Sequence, residues 1–382
     1  MIARVSGDAP PVGITGLGTH VPERVVSSAD VGATLGVSAE WIVERSGIRE
    51  RHVAALEEAA SDLAVPAARE ALERAGVAAG DLGLVIVATA SPDMPLPATA
   101  SIVAAELGAA EAAAYDLSAA STGFVYGLAQ AYANVAAGLV ERALVIGAEV
   151  LSRITDPADR GTAILFADGA GAVVVERVPG AGFLGFDLGS DGSGASDILV
   201  PAGGSRAPST EATVAAGLHA IQMNGQRIFR FSTRVTAESI EQLLRECGVS
   251  IGEIDLYAPH QSNQRIIDHT ARRLGIPPEK VVVDIDRYGN TSSASIPLAL
   301  ADAEAGGRLR EGATVLVSAV GAGLTWGSAL LRWSAAACRW RSASPGRAPT
   351  RSAWAVRSRR PSPRPTRSSR SGGRSRASIC AA

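Results

Sequence analysis

Residues Arg142 to Ile146 and Thr314 to Ser318 are short, almost continuously apolar runs, the pattern of strands covered on both faces of a parallel sheet. Ala71 to Leu84 and Leu243 to Leu256 share a different pattern: the end of a helix, a glycine stop at Gly76 or Gly248, then the start of a strand. Both pairs are related by one offset of 172 residues, which also lays Ser121 over Ser293 and Leu128 over Leu300. A constant offset across separated segments predicts duplication of a βαβ-rich half. The two halves, roughly 11–180 and 215–333, are expected to pack about a pseudo-twofold axis, with their helix N-termini aimed at a common centre. The loop from Gly203 to Pro208 is expected at the entrance.

The pattern ends after Arg332 and Trp333. Residues 334–382 alternate Arg, Ser, Pro and Ala without apolar periodicity and read as a disordered basic tail. A shifted reading frame in a GC-rich gene fits this segment equally well, since the chain has 35 Arg and a single Lys, Lys280. The domain reading is therefore 1–180, 181–333 and the tail.

Of the 382 residues 47% are apolar and 19% charged, enough for a large core. The tail holds twelve Arg and no acidic residue, so the body carries 24 basic against 38 acidic groups, a net charge near −14. Such a body argues against nucleic acid as a partner. Cys338 and Cys380 lie in the tail and leave Cys247 alone, which excludes a disulfide framework and points to the cytosol. No apolar stretch of membrane-spanning length and no signal-peptide pattern is present, so no membrane is expected.

Three segments carry more chemistry than packing needs. Ser121, within Ala120 to Phe124, opens a helix after a buried strand, where unpaired N–H groups and the helix dipole favour an anion. Small residues flanking a hydroxyl follow the logic of a nucleophile elbow, although serine is also a common N-cap. His260 ends an apolar strand and opens a cluster of amides that includes Asn263. Asn290 stands just before the helix that the repeat pairs with the Ser121 helix, in a sequence that also reads as a plain turn and cap. Gly16 to Gly18 and Asp168 to Gly171 lack the spacing of a phosphate loop or dinucleotide fingerprint, and no metal site is expected.

From about Gly16 to Trp333 the chain resembles the β-ketoacyl-acyl-carrier-protein synthase III family of the thiolase superfamily. The motifs are Trp41 to Arg49, Asp159 to Thr162, Phe166 to Gly171, His260 to Asn263, Gly289 to Ser292 and Gly321 to Gly327. The resemblance implies an α/β, five-layer αβαβα fold of two duplicated halves, assembled as a homodimer. It places Ser121, His260 and Asn290 on the family's Cys-His-Asn constellation, so the nucleophile departs from the pattern. It implies that a short acyl group passes from acyl-CoA to Ser121 and condenses with malonyl-acyl-carrier protein, without a permanently bound cofactor. Such a reaction primes fatty acid or polyketide synthesis. His260 and Asn290 would stabilise the enolate formed on decarboxylation. The backbone N–H groups of Ser121 and Ala322 would form the oxyanion hole.

Trp41 and Arg45 match positions that sandwich the CoA adenine, Arg160 one near the nucleotide phosphates, and Asn263 one near the pantetheine arm. Leu96 matches a residue that caps the acyl pocket across the dimer, Val320 replaces a usual Phe, and Arg265 is the expected contact for an acidic carrier protein. A hydroxyl, unlike a thiol, does not ionise unaided at a helix N-terminus, so Ser121 is expected to need His260 as a general base. Transfer to another acceptor without condensation, or a silent carrier-binding subunit, are the alternative readings. Ser121 itself fits either a natural variant or a replaced cysteine.

Overall fold

A computed structural model of the chain describes residues 2–5, 10–180 and 182–334. The expectations for the basic tail beyond Ser334 fall outside them. Ser334 itself is buried and donates to the carbonyl of Ile14, so the folded body runs one residue past the expected boundary.

Two five-stranded sheets repeat one pattern. The first has the spatial order Val12–His20, Asp168–Arg177, Arg142–Val150, Leu84–Ala88 and Ala113–Leu117. The second has the order Ile2–Arg4, Gly182–Ser190, Thr325–Arg332, Thr314–Gly321 and Leu256–Pro259. In each, an antiparallel hairpin of long strands meets a parallel pair: Leu84 lies beside Ala143 in one sheet and Leu256 beside Val315 in the other. Both parallel pairs are buried along their length, as their unbroken apolar runs require.

The strand Ile2–Arg4 corrects the expected division into halves. It pairs with Gly182–Ser190, joining the sheet of the second half although it precedes the first.

Helices Gly123–Ala136 and Ser295–Ala305 lie between the sheets, and one apolar cluster, including Phe124, Leu128, Leu300 and Val317, joins them to both sheets. Helices Ala60–Ala75 and Thr99–Leu107 cover the outer face of the first sheet, and Gly225–Cys247 and Gln264–Leu274 that of the second. The result is the five-layer α/β fold. The 172-residue offset holds in detail: Ala75 and Cys247 end equivalent helices, and the next residues, Gly76 and Gly248, adopt left-handed φ values of 68° and 67°.

The central helices approach the strands closely because glycine faces them at two points. A Cβ on Gly147 would lie 2.3 Å from the carbonyl oxygen of Ser293. One on Gly321 would lie 2.5 Å from that of Ala119 and 3.0 Å from the nitrogen of Thr122. Each helix is entered through a 3₁₀ turn, Ala120–Thr122 or Ser292–Ala294, whose first residue is non-glycine with positive φ, 47° at Ala120 and 49° at Ser292. That conformation costs an L-residue on the order of 1–2 kcal/mol, and in both places it is imposed by the surrounding packing.

Candidate active site

The two turns converge on a cleft of about 1270 Å³ that Ser121, His260 and Asn290 all line. Ser121 is half-buried at the entry to its helix and its hydroxyl donates to Ser292 Oγ at 3.2 Å. Ser292 in turn gives its backbone N–H to Asn290 Oδ1 at 3.0 Å. Asn290 is fixed by its backbone, whose N–H donates to Leu165 while its carbonyl accepts from Ala167.

His260 follows the strand Leu256–Pro259, and its backbone N–H donates to Ser318. Its Nδ1 lies 2.6 Å from Ser295 Oγ, which also accepts, at 3.3 Å, from the backbone N–H of Gln261. Burial drives the imidazole pKa down to about 3, so the ring is neutral at physiological pH. The expected pairing of Ser121 with His260 is not what the structure holds. Each instead bonds a serine of the second turn and its helix, Ser292 or Ser295, because that turn projects its serines between them.

Of the loop expected to supply part of the oxyanion hole, Gly321, Ala322 and Gly323 line the cleft, and the Gly321 contact sets the loop directly against the Ser121 turn. Val320 lines the same wall. The apolar end is built from residues that sequence reasoning did not single out, among them Leu151, Ile198, Ile221, Met223 and Phe229. The loop expected at the entrance, Gly203 to Pro208, does not line the cleft. Lining residues flank it on both sides, Ile198 to Val200 before it and Ile221 and Met223 to Gln226 after it.

Trp41 and Arg45 are brought together on the helix Ala39–Ser46, but stacked directly, with the Arg45 guanidinium 4.0 Å from the ring centroid. An adenine ring between them requires Arg45 to swing away. Arg160 spends its guanidinium on the carbonyl of Leu35, at 2.9 and 3.1 Å, and is not part of the cleft wall. Asn263 lines the cleft, caps the helix Gln264–Leu274 through the Arg265 N–H, and donates to the Arg45 carbonyl at 2.9 Å, linking the two sides of the mouth. Arg265 is exposed at that mouth and forms no ion pair among the described residues. Leu96 is 85% exposed and outside the cleft of its own chain.

Three polar residues of the site went unnoticed in the sequence. Ser292 and Ser295 are three apart, on one side of the second turn and its helix. Glu149 is fully buried in a strand that is otherwise apolar after Arg142, and a lone acidic residue in such a run is a signal that could have exposed it.

The layer order, with two central helices delivered by strained turns to one cleft, defines the thiolase class of fold. Residues 115–192 match the family model for 3-oxoacyl-[acyl-carrier-protein] synthase III, and residues 244–333 match the model for its C-terminal part. The β-ketoacyl-[acyl-carrier-protein] synthase III of Symbiobacterium thermophilum is 52% identical over 323 residues, 84% of this chain and 98% of that protein. The enzyme of the same name from Desulfitobacterium hafniense is 50% identical over 84% of this chain and 97% of its own length.

Among solved structures, the synthase III of Thermus thermophilus superposes with a TM-score of 0.78 at 47% identity, over 84% of this chain and 99% of that one. The priming β-ketosynthase of the R1128 polyketide pathway gives 0.79 at 34% identity, over 86% and 98%. The chain belongs to the β-ketoacyl-[acyl-carrier-protein] synthase III family. It is an acyl-transferring condensing enzyme. Among the described residues, no helix is long and apolar enough to cross a membrane.

Proposed function

We propose that Ser121 takes a short acyl group from acyl-CoA and that the acyl-enzyme condenses with malonyl-acyl-carrier protein, priming fatty acid or polyketide synthesis in the cytosol. The observation that carries this reading is the convergence of Ser121, His260 and Asn290, from three distant segments, on one cleft with an apolar end. The neutral His260 supports a role as hydrogen-bond donor. In the tautomer in which Ser295 Oγ donates to Nδ1, the ring proton lies on Nε2. A donor on Nε2 and the Asn290 amide suit the oxygen of a thioester enolate as malonate loses CO2. Preorganised donors of this kind typically contribute on the order of 10²–10³ in rate.

The acyl group would occupy the apolar wall near Ile198 and Phe229, while the CoA chain would leave past Asn263. Arg265 is placed to meet an acidic carrier protein. The family resemblance supports a homodimer in which the exposed Leu96 reaches the partner's cleft.

The test is the intact mass of the protein after exposure to a panel of short acyl-CoA thioesters, followed by malonyl-acyl-carrier protein. An adduct absent from Ser121→Ala and discharged as a β-ketoacyl product with loss of CO2 is expected. Discharge to another acceptor without CO2 loss would make the protein a simple acyltransferase. No adduct with any donor would leave a silent carrier-binding subunit.

A further inference from the structure

If Ser121 is acylated, as proposed above, its hydroxyl needs a proton acceptor, and His260 is turned away to Ser295. The geometry points to another acceptor: a relay from Ser121 through the hydroxyl of Ser292 to the carboxylate of Glu149. The first link is the 3.2 Å bond from Ser121 Oγ to Ser292 Oγ. Ser292 also lies beside Glu149 and helps to stabilise its carboxylate, although the hydrogen bond to Glu149 Oε1 is made by the adjacent Ser293 Oγ, at 3.1 Å. Glu149 is two residues from Gly147 and so on the same face of its strand, the face against which the second turn packs.

The setting of Glu149 is otherwise hard to explain by stability. Its carboxyl is fully buried, and its neighbours are neutral donors: Ser91 Oγ at 2.6 Å, the Ala90 N–H at 3.0 Å and Thr89 Oγ1 at 3.4 Å. No charged group contributes to the shift of its pKa, which burial raises above the ordinary glutamate value. A buried carboxylate with no charged partner costs stability that a glutamine or an apolar residue would not. A carboxylate held in this way is a stronger base than one in water, which is what a serine nucleophile requires. The strain at Ser292, with φ of 49°, is held by Asn290, and it sets Ser292 between nucleophile and carboxylate.

The proton balance closes over the two half-reactions. As Ser121 Oγ bonds to the thioester carbonyl carbon, its proton passes to Ser292 while that of Ser292 passes to Glu149. The C–S bond then breaks and CoA leaves as its thiolate, to be protonated by water. In the second half-reaction, the carbanion from malonyl decarboxylation bonds to the acyl carbon and the C–O bond to Ser121 breaks. The departing alkoxide recovers its proton from Glu149 along the same path.

The experiment measures acylation rates by intact mass for the wild type, Glu149→Gln and Ser292→Ala, each with Ser121 and in the Ser121→Cys background, with thermal midpoints alongside. A thiol at a helix N-terminus ionises without a base, so the second background reads structural damage alone. With Ser121, both variants are expected to slow acylation by about 100-fold or more, the usual scale of a lost general base. In the Ser121→Cys background the loss should stay within about threefold. The wild-type rate should rise with pH through a midpoint above the ordinary glutamate range, since only the ionised carboxyl accepts, and Glu149→Gln should abolish that rise. Equal losses in both backgrounds, or an unchanged rate in Glu149→Gln, would overturn the relay while leaving acylation of Ser121 intact. A wild type that takes no acyl group would overturn the acylation reading and the relay with it.

Discussion

The two turns that open the central helices share their backbone and differ in what they expose. At the first, Ala120 takes the strained φ and Ser121 presents a half-buried hydroxyl to the cleft. At the second, Ser292 takes the strained φ, while Ser293, the equivalent of Ser121, is fully buried between Glu149 and the carbonyl of Ala88. Each turn is met by the strand of the opposite half at equivalent positions, Gly321 against the first and Glu149 against the second. The difference teaches how duplication yields one site instead of two. The glycine lets the first turn pack closely against the strand, and the glutamate fills the corresponding space at the second.

The sharpest way to break this division of labour is His260→Ala. With His260 anchored on the helix of the second turn, condensation is expected to fall by on the order of 10²–10³, while the Ser121 adduct still forms. Product assays and intact mass separate the two, and loss of the adduct itself would make His260 the base. Next come the paired glycines. Gly321→Ala drives a Cβ into Ala119 and Thr122, and displacing the first turn by about 1 Å should slow acylation by on the order of 100-fold. Gly147→Ala drives one into Ser293 at the second turn and should show chiefly as lost stability, about 2–3 kcal/mol by denaturant midpoint. Similar acylation rates in the two variants would erase the contrast. The smallest effect is expected from Ala120→Gly, which relieves the positive φ without touching Ser121 and should shift stability by no more than about 1 kcal/mol. A large activity change there would mean that the strain itself aims the nucleophile.

Much of this was legible in the sequence because it repeats. The offset that joins Ala71 to Leu243 survives as equivalent helix ends, strand starts and strained turns, since local propensity and burial act alike on both copies. Motif order brought out Ser121, His260 and Asn290. Their hydrogen-bond partners were not legible, because Ser121 meets Ser292 across 171 residues and Glu149 meets Ser293 across 144. Such pairings follow from how layers stack, and a serine in a turn looks the same whether it caps, packs or relays. Arg45 likewise chose the nearest aromatic face, that of Trp41, where the resemblance expected a nucleotide between them.

The strand Ile2–Arg4 is synthesised about 180 residues ahead of its partner Gly182–Ser190. At usual rates of synthesis, about 5–20 residues per second, it waits on the order of 10–40 s for a neighbour. Closure of the second sheet is thus timed by translation, and a nascent chain that has completed only its first half carries a strand with no partner.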